Sequence, residues 1–175
     1  NYGYGFVQLA SATALTTVKN VTVSNMNYGV KIDYSNAVVL ENVDITANVA
    51  AVLNSNYGEK TVTIKNSELN ILGTWKRNDT IKTTFVFEGD NTVGQFITDA
   101  AIDNFKLAAD ATLTAPEEIE VTTVDGYEVK YENGTYTSVV KPNDVVKIGE
   151  TGYATLAEAI AAAKADEKVA AELDG

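Results

Sequence analysis

The chain has 175 residues, of which 45% are hydrophobic and 21% charged, a composition typical of folded proteins rather than disordered segments. Thirteen basic and 24 acidic residues give a net charge of −11, which repels phosphate groups and predicts that nucleic acid is not a partner. The sequence contains no cysteine and no histidine, which excludes disulfides, the usual zinc sites and Ser-His-Asp or Cys-His nucleophiles. No run of about 18 apolar residues occurs, so we expect no membrane insertion.

A short pattern repeats three times in the first 70 residues. Each copy reads apolar, charged, Asn, small or apolar, polar, apolar, and the copies occupy residues 18–23, 40–45 and 64–69. The Asn residues of successive copies, Asn20, Asn42 and Asn66, are 22 and then 24 residues apart. This period is typical of solenoids, in which each repeat buries its apolar face only against its neighbours. The alternating Val, Ile and Thr runs around it favour strands.

Stacked coils of this kind would bring like residues over like residues. The residues expected to point inward are Val18, Leu40 and Ile64, then Val21, Val43 and Ser67, and then Val23, Ile45 and Leu69. On the outside, Lys19, Glu41 and Lys65 alternate in sign and are expected to lie side by side.

The three Asn residues are expected where each strand bends, because Asn tolerates the left-handed conformation that such bends use. Two interpretations remain open for their side chains. Asn20, Asn42 and Asn66 form a hydrogen-bonded ladder along the solenoid axis, or they are independent turn residues.

Further strands follow in each coil. We expect second strands at residues 29–32, 50–53 and 73–76, and one more coil around residues 84–91. The pattern weakens between Phe105 and Thr114, where we expect the solenoid to end.

A hairpin and a helix complete the chain. Asn133-Gly134 stands between two alternating runs, residues 127–131 and 136–140, and predicts a β-hairpin. Thr155 and Glu158 have the spacing of a helix capping box, and an Ala-rich helix is predicted from Leu156 to Leu173.

These elements suggest three parts of the chain. They are β-helix coils at residues 1–115, closing strands and the hairpin at 116–148, and at 149–175 a helix that starts or caps a following module. The chain begins without an initiator Met, and we expect it to be a segment of a longer protein.

These motifs together resemble a known family. The Val-x-Asn-Val-x-Val coils, the Asn-Gly-Thr-Tyr-Thr hairpin at residues 133–137 and the Tyr-Ala-Thr-Leu-Ala-Glu-Ala-Ile element at 153–160 resemble tandem modules of large surface proteins of gut Firmicutes. Those modules are pectate-lyase-like right-handed parallel β-helices. The resemblance covers nearly the whole chain and is most specific at residues 126–160. It implies an extracellular location on the bacterial surface, with neighbouring modules of the same chain as partners.

Several charged residues are candidates for a catalytic site or a calcium site. A lyase of this fold needs clustered carboxylates for calcium and a basic residue, and the candidates are Asp33, Asp44, Glu68 and Asp79 with Lys65, Lys76 or Arg77. Glu88 and Asp90 are a candidate carboxylate pair for a glycoside hydrolase, and Asp90 with Asn91 is a candidate calcium site. The simpler interpretation is a solvated charged face, and we favour it.

Aromatic residues offer a binding function instead. Tyr28, Tyr34, Tyr57 and Trp75 lie in or beside predicted turns. Aligned on one face they would form a stacking platform for sugars, whereas the alternative is that they shield the coil edges.

The sequence therefore predicts an all-β, right-handed parallel β-helix that serves as a non-catalytic structural or adhesive surface module and requires no cofactor. Host or microbial glycans, or a surface protein, are the expected partners. A fragment of a polysaccharide-active lyase or hydrolase is the alternative.

Overall fold

The computed structural model of the chain describes residues 7–9, 15–33, 37–55, 59–75, 82–97, 103–141, 146–148, 151–153 and 155–173. Their parallel strands stack as a β-solenoid of about four turns, which confirms the predicted fold class. The elements, in chain order, are β1 (Val7–Leu9), β2 (Thr16–Ile32), β3 (Ala37–Ser55), β4 (Lys60–Lys65), β5 (Glu68–Leu69), β6 (Leu72–Trp75), β7 (Thr83–Glu88), β8 (Asp90–Val93), β9 (Phe96–Ile97), β10 (Asn104–Leu107), β11 (Thr112–Thr114), β12 (Val121–Thr123), β13 (Tyr127–Glu132), β14 (Thr135–Val140), β15 (Val146–Ile148), β16 (Thr151–Tyr153) and α1 (Leu156–Leu173).

Each full coil contributes to three faces of the solenoid. The first face pairs the starts of β2 and β3 with β4, β7, β10 and β12. The second pairs the middle of β2 and β3 with β5, β8 and β11. The third pairs the ends of β2 and β3 with β1, β6 and β9. All of these ladders are parallel, so one coil lies directly on the next.

The core consists of columns of apolar side chains that run along the solenoid axis. On the first face, Val18, Leu40, Ile64, Phe87 and Leu107 are register partners and are all buried. Full burial of a side chain of this size contributes about 1.5–3 kcal/mol. A shift of the register by one residue would turn the whole column outward, so the column also fixes the register of each coil.

A left-handed bend separates the first face from the second in every coil. Asn20, Asn42 and Asn66 occupy it with φ angles of 58°, 53° and 48°, and Gly89 follows with 65°. In the next coil the bend is longer and its left-handed residue is Asp110, with a φ of 56°. This longer bend explains why the sequence pattern weakens after residue 105, although the coil continues through β10 and β11.

The hairpin formed by β13 and β14 packs on the last coil. Asn133 and Gly134 take φ angles of 51° and 80°, as a two-residue turn of this type requires. Strand β14 pairs antiparallel with β11 and covers the edge of the second face. The buried Tyr136 on this strand donates its hydroxyl hydrogen to the Ile119 carbonyl oxygen at 2.9 Å.

The chain divides into two compact units, Asn1–Val140 and Lys141–Gly175. The second unit contains the β15–β16 pair and α1, which begins at the predicted Leu156. Its capping box is formed: the Glu158 amide donates to Thr155 Oγ1 at 3.2 Å, and the Thr155 amide donates to Glu158 Oε2 at 3.0 Å. Among the described residues, no helix has the length and apolar character needed to cross a membrane.

Candidate functional site

Two of the four predicted aromatic positions lie together on the outside of the third face. Tyr28 and Trp75 line one cavity of about 330 Å³, whereas Tyr34 and Tyr57 lie outside the described residues. We call this cavity the Trp75 groove, and the residues that line it are Tyr28, Val49, Leu53, Thr74, Trp75 and Ile97.

The groove results from one register row that crosses four coils. Lys31, Leu53, Gly73 and Ile97 are successive partners in this row. A Cβ atom at Gly73 would lie 2.7 Å from Ile97 Cγ1 and 3.3 Å from Leu53 Cδ1. Glycine therefore lets the side chains of the flanking coils close over the sheet and form an apolar floor. Trp75, which is 53% exposed, lies two residues beyond Gly73.

The Asn side chains at the bends bridge neighbouring coils by two kinds of hydrogen bond. Asn42 Nδ2 donates to Asn20 Oδ1 at 3.1 Å, so these two amides bridge neighbouring coils. Asn66 Oδ1 instead accepts a hydrogen bond from the Asp90 amide at 3.1 Å. The reason is Gly89, where a Cβ would lie only 1.9 Å from Asn66 Oδ1. These exposed Asn side chains are thus engaged in holding coils together.

A polar column lies inside the solenoid next to the bends. Ser67 Oγ accepts from the Val43 amide at 3.2 Å, and the Ser67 amide donates to Asn91 Oδ1 at 3.1 Å. Asn91 Nδ2 donates to the Glu88 carbonyl oxygen at 2.9 Å. Both polar side chains are buried, and these hydrogen bonds offset the loss of water around them.

Outward charges pair between coils. Lys19 Nζ lies 3.1 Å from Glu41 Oε1, and Lys65 Nζ lies 3.6 Å from Glu88 Oε2. All four side chains are partly exposed, and such pairs contribute about 0–1 kcal/mol each.

The carboxylates proposed for catalysis are distributed over several places. Asp44 and Glu68 are register neighbours and line a polar cavity of about 400 Å³ together with Asp90. Asp90 Oδ1 accepts the Thr112 hydroxyl at 2.9 Å. The buried Asp33 lies elsewhere, and its carboxylate is 3.3 Å from the ammonium group of Lys31.

Several candidates do not form the pairs that the sequence suggested. Asp79, Lys76 and Arg77 lie outside the described residues. Glu88 and Asp90 stand on either side of the left-handed bend, and their side chains bond to different coils. Asp90 is exposed and Asn91 is buried, so the two point to opposite sides of β8. In the described ranges, no group of three or more acidic residues is arranged to hold a metal ion.

Lys60 is a buried ionisable residue that the sequence reasoning missed. Its ammonium donates to the backbone carbonyl oxygens of Ser55, at 2.7 Å, and of Asp33, and so ties together the ends of two earlier coils. Burial lowers the pKa of Lys60 to about 8, and the Asp33 carboxylate opposes that shift. The alternation of Lys60 with the inward Val62 and Ile64 was a usable signal for its position.

Comparisons with known proteins add no relative. The chain matches no protein-family model, no curated protein and no solved structure. The comparisons therefore assign no function to the chain.

Proposed function

We propose that this chain is a non-catalytic structural and adhesive module of an extracellular bacterial surface protein. The observation that supports it best is the use of the outward polar residues in contacts between coils. Lys65 pairs with Glu88, and Asp90 accepts a hydrogen bond from Thr112. Residues used in this way hold neighbouring coils together, which supports a structural role.

The adhesive part of the proposal is supported by the apolar surface. Val49, Trp75 and Ile97 are exposed large hydrophobic residues of the solenoid, and all three line the Trp75 groove. Exposed aromatic and aliphatic groups of this kind, gathered around a concavity, favour binding over a purely structural role. The resemblance to tandem surface modules is the basis for the extracellular location. It also suggests that further modules adjoin this one.

A polysaccharide-active fragment remains the second candidate because of the acidic cavity. Asp44, Glu68 and Asp90 line one polar depression, and acid-base hydrolysis or lysis needs carboxylates in a cleft. These carboxylates lie on the exposed side of the sheet, where a solvated face is the simpler interpretation.

Sugar release distinguishes the two candidates. The purified chain is incubated with pectin, mucin or host glycans in the presence of calcium, and reducing ends and unsaturated products are measured. We expect neither product. If either appears, and if the combined Asp44→Asn and Glu68→Gln variant abolishes it, the non-catalytic proposal is wrong and the acidic cavity is an active site.

A further inference from the structure

The Trp75 groove has an apolar floor and a polar rim. Leu53 and Ile97 meet over Gly73 to form the floor, and the partly exposed indole of Trp75 forms a wall. The phenol of Tyr28 also lines the groove.

Hydrogen-bonding groups lie at both ends of this floor. Lys31 is the register neighbour of Leu53, and its ammonium lies 3.3 Å from the Asp33 carboxylate. At the other end β9 is an edge strand, because within the part of the chain that the structure describes it pairs only with β6. An edge strand presents backbone N–H and C=O groups to a ligand.

The size of the groove favours a small ligand over a protein. Its volume of about 330 Å³ is at the lower end of the range of small-molecule sites, about 300–1,000 Å³. A stable protein interface uses about 20–30 residues on each side, whereas six residues line this groove.

The charge of the groove favours a neutral ligand. None of the six lining residues is charged, while the chain as a whole carries a net charge of −11. Among the described lining residues there is no cation to attract an anionic ligand, and the nearby Lys31 is already paired with Asp33. The net negative charge of the chain repels such a ligand. A neutral ring with C–H groups on its faces and hydroxyl groups at its edge matches an apolar floor, an indole wall and a polar rim.

We propose that the Trp75 groove binds the apolar face of a neutral pyranose unit within an oligosaccharide. This inference rests on the proposed adhesive function and gives it a ligand class. The groove crosses four coils about 4.8 Å apart, so it is long enough to accept more than one sugar unit of a chain.

Trp75 makes the test direct because it is the only tryptophan of the chain. Neutral gluco-, xylo-, manno- and galacto-oligosaccharides are titrated into the protein while tryptophan fluorescence and its quenching by acrylamide are measured. We expect at least one of them to shift the emission to shorter wavelength and to protect the indole. An oligogalacturonide of equal length is expected to have no effect.

Variants that keep the tryptophan locate the effect. Ile97→Thr removes apolar floor but keeps a β-branched residue on the strand, and it is expected to weaken binding about tenfold. Tyr131→Leu removes a partly exposed ring on the hairpin and serves as the matched control, with unchanged affinity. Circular dichroism verifies that each variant is folded.

Three results would overturn the inference. One is an indole that responds to none of the neutral sugars, and another is an equal response to the oligogalacturonide. The third is a spectral change with protein concentration alone, which would mean that a second copy of the chain occupies the groove. None of them bears on sugar release, so the non-catalytic proposal is tested separately.

Discussion

Because burial lowers the pKa of Lys60, we expect the protein to become more stable as the pH is raised above neutrality. The pKa of this amine is about 8 in the folded chain, against an ordinary 10.5. Between these values the unfolded chain binds the proton more tightly, so the free energy of unfolding increases with pH. The two pKa values differ by an amount equivalent to about 3 kcal/mol. The free energy of unfolding is expected to rise by about 2 kcal/mol between about pH 7.5 and about pH 9.5.

The proton is removed without loss of the contacts that the amine makes. A neutral amine still has two hydrogens, which suffice for the carbonyl oxygens of Ser55 and Asp33. Burial raises the pKa of Tyr136, and a phenol of this kind reduces stability only as the pH rises past 10. The interval up to about pH 9.5 therefore lies below the titration of Tyr136, and Lys60 loses its proton within it.

Urea unfolding followed by circular dichroism at a series of pH values measures this effect. Lys60→Met removes the titrating group, so the variant is expected to lack the rise of about 2 kcal/mol that the parent chain shows. Equal slopes in the parent and the variant would refute the assignment of the effect to Lys60. A fall in stability over the same interval would refute the sign of the pKa shift.

Two further predictions concern the bends and the hairpin. Gly89→Ala places a Cβ against Asn66 Oδ1, whereas Gly126→Ala has a similar positive φ and open space, so we expect the first to lose at least about 1 kcal/mol more in urea unfolding. Equal losses would mean that the contact with the Asn amide does not matter. Tyr136→Phe removes the hydroxyl that bonds to the Ile119 backbone and is expected to lose about 1–3 kcal/mol and to speed hydrogen exchange at the Ile119 amide. An unchanged exchange rate there would contradict the role given to the hydroxyl.

The sequence predicted those parts of the fold that follow from short-range rules. The spacing of Asn20, Asn42 and Asn66 located the bends because few residues other than Gly tolerate a positive φ. The period of two in the flanking strands then assigned the inner and outer faces. The hairpin and the helix start were equally local, since each depends on two or three neighbouring residues.

The groove could not be derived in this way because its parts are far apart in the chain. Tyr28 and Ile97 are 69 residues apart and meet only through the pairing of four coils. That pairing contains irregularities, since the β2–β3 register shifts twice between Val23 and Tyr28. A shift of one residue moves an aromatic ring to the other face, so counting along the repeat does not give its neighbours.

The stacking that makes the core uniform also makes the outer surface variable. Each coil adds one residue to the row of Lys31, Leu53, Gly73 and Ile97. In the first two of these coils the adjacent residues Val30, Ile32, Val52 and Asn54 are buried. An outward residue can therefore change in one coil without a change in the packed columns. A larger residue at Gly73 would fill the floor of the groove, and a charged residue at position 97 would make the groove less apolar. A solenoid built in this way keeps one packed core while its outer surface is set coil by coil.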